Sequence, residues 1–148
     1  GMYDLVKGML ERGVPVDTVG LQMRINQEYP PVSMIEETIQ MFGSLGVNVI
    51  VTEMDISVYQ DFKDGKEQLQ DKKEFTPELM EAQVNRYKVI FECFERQAKA
   101  GILKDVLLWG ITDRFTWKND FPVPGRGDAP LLFDKEGKEK PAFYALLK

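Results

Sequence analysis

Apolar residues recur with two different periods along this chain, and the alternation between them predicts its architecture. From Tyr3 to Arg12, Leu5, Val6, Met9 and Leu10 share one helical face, and Gly13 stops the helix. Val19-Gly20-Leu21-Gln22-Met23 leans towards a strand. After a loop at Pro30-Pro31, Ser33 stands three residues before Glu36, a capping-box spacing that opens a helix carrying Ile35, Ile39 and Phe42. Gly46 ends it. Val47 to Thr52 is the strongest strand signal. Residues 57–75 are polar and without period, which predicts a long loop. Thr76-Pro77 is an N-cap followed by a first-turn proline, and the helix it opens runs to about Ala100. Met80, Val84, Tyr87, Phe91, Phe94 and Ala98 are its expected buried stripe. Val106 to Ile111 reads as a third strand, and a Pro- and Gly-rich loop leads to a last helix, Pro141 to Leu147.

Helix and strand alternate throughout. That order predicts an α/β chain of parallel βα units with right-handed crossovers. Each apolar strand is interrupted by polar residues at its C-terminal end: Gln22 and Arg24 on the first, Thr52-Glu53-Met54-Asp55 on the second, and Trp109, Thr112, Asp113 and later Trp117 on the third. Ligands of parallel sheets sit at those ends. Strand alternation places Glu53 and Asp55 on one side of their strand, and Gln22 and Arg24 on one side of theirs. Taken singly, a strand-end carboxylate caps a loop, a strand tryptophan is core, and two acids beside an arginine form an ion-pair cluster. The coincidence of three such endings points to a site.

Composition narrows the chemistry. With 148 residues, 43% hydrophobic and 29% charged, the chain has the balance of one globular domain. Its net charge of −5 disfavours nucleic acid as a partner, and no apolar run reaches the ~18 residues that span a bilayer. Cys93 is the single cysteine, so neither an internal disulfide nor a thiolate zinc site is expected. Histidine is absent, which removes histidine-dependent triads and the commonest metal ligand. Acid–base chemistry must rest on carboxylates, and no cofactor or metal is called for. Gly1 ahead of Met2 reads as a protease-cleavage remnant, which leaves residues 3–148 as the domain.

At the strand ends the sequence resembles a known family. Val51-Thr52-Glu53-Met54-Asp55-Ile56 is similar to the seventh-strand motif of glycoside hydrolase family 10, the endo-β-1,4-xylanases. Leu108-Trp109-Gly110-Ile111-Thr112-Asp113 with Trp117 resembles that family's eighth strand. Phe121 to Arg126, Pro130 to Asp134 and Lys140 to Phe143 resemble its closing loop and last helix, and residues 13–23 its sixth strand and lead-in. The resemblance implies the C-terminal part, strands six to eight, of a TIM (β/α)8 barrel. It implies Glu53 as catalytic nucleophile, Asp55 and the residue at position 24 as its orienting partners, and Gln22, Trp109 and Trp117 as contacts to xylan or xylo-oligosaccharide. It also implies a secreted or periplasmic parent.

Two departures follow from the same resemblance. The family's acid/base glutamate lies on the fourth strand, upstream of Tyr3, and retaining hydrolysis needs two carboxyls. The chain alone is therefore expected to be inactive. Position 24, usually histidine in the family, is Arg24, which can donate to Glu53 and Asp55 and holds a permanent charge. That charge steadies Glu53 and weakens it as a nucleophile. Three strands of a closed barrel also leave two open edges, with Leu21, Val49, Val51 and Leu107 or Leu108 expected on the uncovered inner face. The expected partners are an N-terminal half-barrel or a second copy of the chain, and the rival readings are a silent carbohydrate-binding remnant or a structural subdomain.

Overall fold

The computed structural model describes residues 1–63 and 66–147. Helices α1 (Met2–Glu11), α2 (Val32–Gly43), α3 (Pro77–Lys99) and α4 (Pro141–Leu146) alternate with β1 (Thr18–Asn26), β2 (Asn48–Ser57) and β5 (Leu103–Leu108). These three strands form one parallel sheet in the order β1-β2-β5. The two-residue strands β3 (Phe62–Lys63) and β4 (Lys66–Glu67) pair antiparallel as a separate sheet.

One face of the sheet is covered. Val19, Met23 and Ile25 of β1 and Val49, Val51, Met54 and Ile56 of β2 join a single core with Val6, Ile35, Ile39, Phe42, Tyr87, Ile90, Phe94 and Ala142 of the four helices. On the opposite face Gly20, Gln22 and Arg24 of β1 and Asp105 and Leu107 of β5 are exposed. The inner-face expectation is corrected accordingly. Leu21, Val49, Val51 and Leu108 pack with the helices, and only Leu107, 52% exposed, looks outward from the bare face. Counting parity from Val19 gives the reason, since alternate residues of β1 are polar or glycine.

Several boundaries differ from the periodic pattern. Helix α2 starts before Ser33, with Pro31 at the cap position and its carbonyl accepting from Met34 and Ile35 N–H. Ser33 thus lies inside the first turn and caps nothing. Thr76 does cap α3, its Oγ1 accepting from Leu79 N–H at 3.3 Å. Along α3, Tyr87 and Phe94 are buried, Met80, Val84 and Phe91 half-buried and Ala98 exposed, whereas Gln83, Arg86 and Gln97 are buried. Strand β5 begins three residues earlier than the apolar run suggests and ends at Leu108. Trp109 N–H makes a last bond to Met54 O (2.9 Å), after which Gly110 at φ 130 turns the chain away. A side chain there would meet Leu131 Cδ1 at 3.0 Å.

The start of the expected loop 57–75 is built into the core, and residues 64–65 of it lie outside the described residues. Ser57, Val58 and Tyr59 are buried, and Val58 and Tyr59 form a small second core with Ala129, Leu79 and Met80. Tyr59 Oη donates to Gly127 O (3.1 Å) and accepts from Lys73 N–H (3.2 Å). Gly1, set aside in the sequence reading, stands at the cap of α1, its ammonium 2.7 Å from Asp4 Oδ2.

Candidate active site

The site begins with an irregularity in β2. Gln22 pairs with Thr52 and Arg24 with Asp55, so β2 spends three residue steps where β1 spends two; towards β5, Val51 pairs with Val106 and Met54 with Leu108, the same excess. One extra residue is therefore bulged from β2 on both sides. Glu53 sits there with φ 54, a left-handed conformation that costs a non-glycine residue ~1 kcal/mol. The bulge resets the parity of the strand. Met54 and Ile56 take over the helix-covered face from Val49 and Val51, and Glu53 meets its neighbours on β1 at the polar face.

Both carboxylate oxygens of Glu53 are engaged. Gln22 Nε2 donates to Oε1 at 3.2 Å, and Arg24 Nη2 donates to Oε2. The Glu53 side chain keeps 19% exposure and that of Arg24 34%, so this ion pair sits at the surface of the site. The guanidinium also lies over both tryptophans, its carbon 5.1 Å from the Trp109 ring centroid and 4.8 Å from that of Trp117. Trp109 is 44% exposed. Trp117 is more crowded, with Lys118 Nζ 4.5 Å and the Phe121 ring 5.2 Å from its ring centre.

Asp55 is fully buried beneath this layer. Its Oδ2 accepts from Trp117 Nε1 at 2.6 Å, and Oδ1 has no hydrogen-bond partner among the described residues. Burial pushes its pKa up to about 6, against the opposing pull of Lys118, the Trp117 bond and Arg24. The direct Asp55–Arg24 contact that the resemblance implied is thus replaced by the Asp55–Trp117 bond, while Arg24 turns to the bulged Glu53.

A polar support that the sequence reading missed surrounds these residues. Ser57 Oγ donates to Asp128 Oδ2 (2.5 Å), and Asp128 Oδ1 accepts from the N–H groups of Val58 (3.2 Å) and Ala129 (2.7 Å). Buried Arg126 forks onto Asp61 and stacks 3.9 Å from the Tyr59 ring centre. Lys140 Nζ, buried, donates to Asp113 Oδ2 (2.9 Å) and Ala129 O (2.7 Å). Burial lowers the Lys140 pKa and raises that of Asp113, each partner opposing the other's shift. Asp113, grouped with the strand-end residues by sequence, is therefore a brace for the closing loop. Only the run of charged residues between Gly125 and Lys140 signalled this network, and it has no period to decode.

Beyond Arg24 a cleft of about 210 Å³ opens between the ends of β1 and β2, lined by Arg24, Asn26, Tyr29, Tyr59, Asp61 and Lys118. No group of three or more acidic, histidine or cysteine side chains suited to a metal ion occurs among the described residues.

Parallel βα units that aim a carboxylate, an amide, a guanidinium and indoles from adjacent strand ends form the ligand-binding end of part of a (β/α)8 barrel. The chain belongs to glycosyl hydrolase family 10, whose model matches residues 1–148. It is 44% identical over 147 residues to endo-1,4-beta-xylanase A of Caldicellulosiruptor saccharolyticus, covering 99% of this chain and 41% of that protein. It is 40% identical over 146 residues to endo-1,4-beta-xylanase C of Paenibacillus barcinonensis, of which it covers 13%. Among solved structures, a family 10 protein from Paenibacillus barcinonensis superposes with a TM-score of 0.91 at 39% identity, over 99% of this chain and 40% of that one. A mutant in complex with xylotriose superposes at 0.84 and 38% identity, over 99% of this chain and 43% of that one. The chain thus spans less than half the length of each of these relatives.

Proposed function

We propose that this chain supplies the nucleophile side of a retaining endo-1,4-β-xylanase site. The observation that carries the reading is Glu53: a carboxylate at a strand end, partly exposed, with both oxygens aligned by Gln22 and Arg24. The xylanase names of its relatives and the xylotriose held by a similar structure supply the substrate class. In the reaction a Glu53 oxygen attacks the anomeric carbon, the glycosidic C–O bond breaks, and the leaving oxygen takes a proton from a second carboxyl. Gln22 holds sugar beside that carbon, and Trp109 and Trp117 offer rings to sugar faces. Asp55 has the raised pKa of an acid, yet it is fully buried and bonded to Trp117, so it steadies the indole and does not donate the proton.

The proton donor then comes from the remaining strands of the barrel, whether on the same polypeptide or another, seated against the edges of this three-stranded sheet. A polymeric substrate suits a secreted or periplasmic setting. The test uses a 2,4-dinitrophenyl 2-deoxy-2-fluoro-β-xylobioside, whose leaving group needs no proton. Mass spectrometry should find one fluoro-xylobiosyl group on Glu53 and none in Glu53→Gln, while xylan yields no reducing sugar. Absence of labelling, or labelling elsewhere, overturns the nucleophile assignment, and reducing-sugar release from xylan abolished by Glu53→Gln overturns the need for a partner. The rival reading, a carbohydrate-binding remnant, draws on the neutralisation of Glu53 by Arg24 and would show xylotriose binding without labelling.

A further inference from the structure

Arg24 lies against the aromatic and acidic groups of the site together. Its guanidinium is within about 5 Å of both indole centres and bonded to Glu53, so it touches both rings and the carboxylate at once, with Trp109 still 44% exposed. A planar cation on indole rings gains a quadrupole attraction that a neutral sugar does not. The tether is nevertheless light. Among the described residues Arg24 hydrogen-bonds through Nη2 alone, its side chain is 34% exposed, and the cleft on its far side gives a long side chain room to swing.

We propose that Arg24 occupies the sugar-stacking space of this site, and that a xylan chain binds by displacing its guanidinium from Trp109 and Trp117. The inference rests on the xylanase reading and adds to it that position 24 sets affinity by competition. It differs in sign from the alternative in which Arg24 grips the sugar. If the guanidinium competes, removing it strengthens binding; if it grips, removing it weakens binding.

The experiment is direct because the chain has two tryptophans and both lie against Arg24. Tryptophan fluorescence of the 148-residue chain is followed during titration with xylotriose, for wild type, Arg24→Ala and Arg24→Lys, with far-UV circular dichroism to establish that each variant is folded. Two cation–π contacts of ordinary strength correspond to about tenfold tighter xylotriose binding by Arg24→Ala. Arg24→Lys, which keeps charge and loses the planar face, should fall between. Guanidinium ion at millimolar concentration, far below denaturing levels, should weaken xylotriose binding to Arg24→Ala by refilling the vacated space and leave wild type little changed, with circular dichroism at the same concentration establishing that the variant stays folded. Weaker binding by Arg24→Ala, or indifference of that variant to guanidinium, overturns the proposal. Should Arg24→Ala not fold, an intermediate affinity gain in Arg24→Lys supports the inference and a loss overturns it. Xylotriose binding by none of the proteins overturns the xylanase reading itself.

Discussion

Trp117 Nε1 donates to Asp55 Oδ2 at 2.6 Å, a bond that joins the segment after β5 to the middle strand. It is the one hydrogen bond made by a carboxylate that has no exposure to water, since Oδ1 has no partner among the described residues. The carboxylate therefore depends on an indole from a loop, and the indole is aimed by a carboxylate from the core. A group with one satisfied oxygen is sensitive to the loss of that single donor.

Replacing Trp117 with Phe keeps a ring and removes the donor. At pH 7 Asp55 is left buried without its donor, the loss of that bond raises its pKa further, and the expected loss of stability is about 1–3 kcal/mol. Below about pH 4 the carboxyl is protonated, so the deficit should shrink. Urea denaturation of both proteins at the two pH values measures this; an equal deficit at both would mean that only packing was lost.

Asp55 also gives the fold a pH dependence whose sign can be worked out. Its pKa is about 6 in the folded chain against an ordinary 3.8, so the folded state holds the proton more tightly than the unfolded state does. Its contribution to stability is complete below about pH 4 and is lost as pH rises through 6. Asp55→Asn can keep the Trp117 bond and cannot ionise. The variant should gain on wild type between pH 4 and 6 and reach a plateau on the order of 3 kcal/mol above it at pH 7. A stability difference that does not change with pH would contradict the assignment.

The buried Lys140–Asp113 pair should show strong coupling. Lys140→Met strands the Asp113 charge, 4% exposed, and should cost about 3–5 kcal/mol. Adding Asp113→Asn removes that charge and should recover a large part. A double-mutant cycle by thermal denaturation reports the pair directly, and additive losses would mean that the two side chains are independent.

Much of the fold could be read from periodicity because its strands are either covered by helices or plainly polar. Val49 and Val51 announce β2, and Thr76-Pro77 announces α3. Glu53, Gln22 and Arg24 are legible as a group because three strands end in polar residues at similar depth, and the fold brings them together. What periodicity missed are polar groups whose partners are backbone carbonyls. Gln83 Nε2 bonds Ile56 O and Ala129 O, and Arg86 Nε bonds Asn26 O, yet on a helix these residues resemble a solvated face. The bulge was equally hidden, since a one-residue change of parity leaves no trace in composition. Of the two carboxylates that Arg24 was expected to reach, it bonds Glu53, and Asp55 is held by Trp117 instead.

The bare face of the sheet has a further consequence, for how this chain behaves in water. Its polar side chains, Gln22, Arg24 and half-buried Thr52, are ones on which solvent can rest without a large hydrophobic penalty, with Leu107 and half-buried Ile50 the exceptions. The same lining that would orient a sugar also gives an open stack of βα units a wettable concave wall, which lowers the pressure on that wall to aggregate and leaves the unpaired edges of β1 and β5 as the places where association is driven.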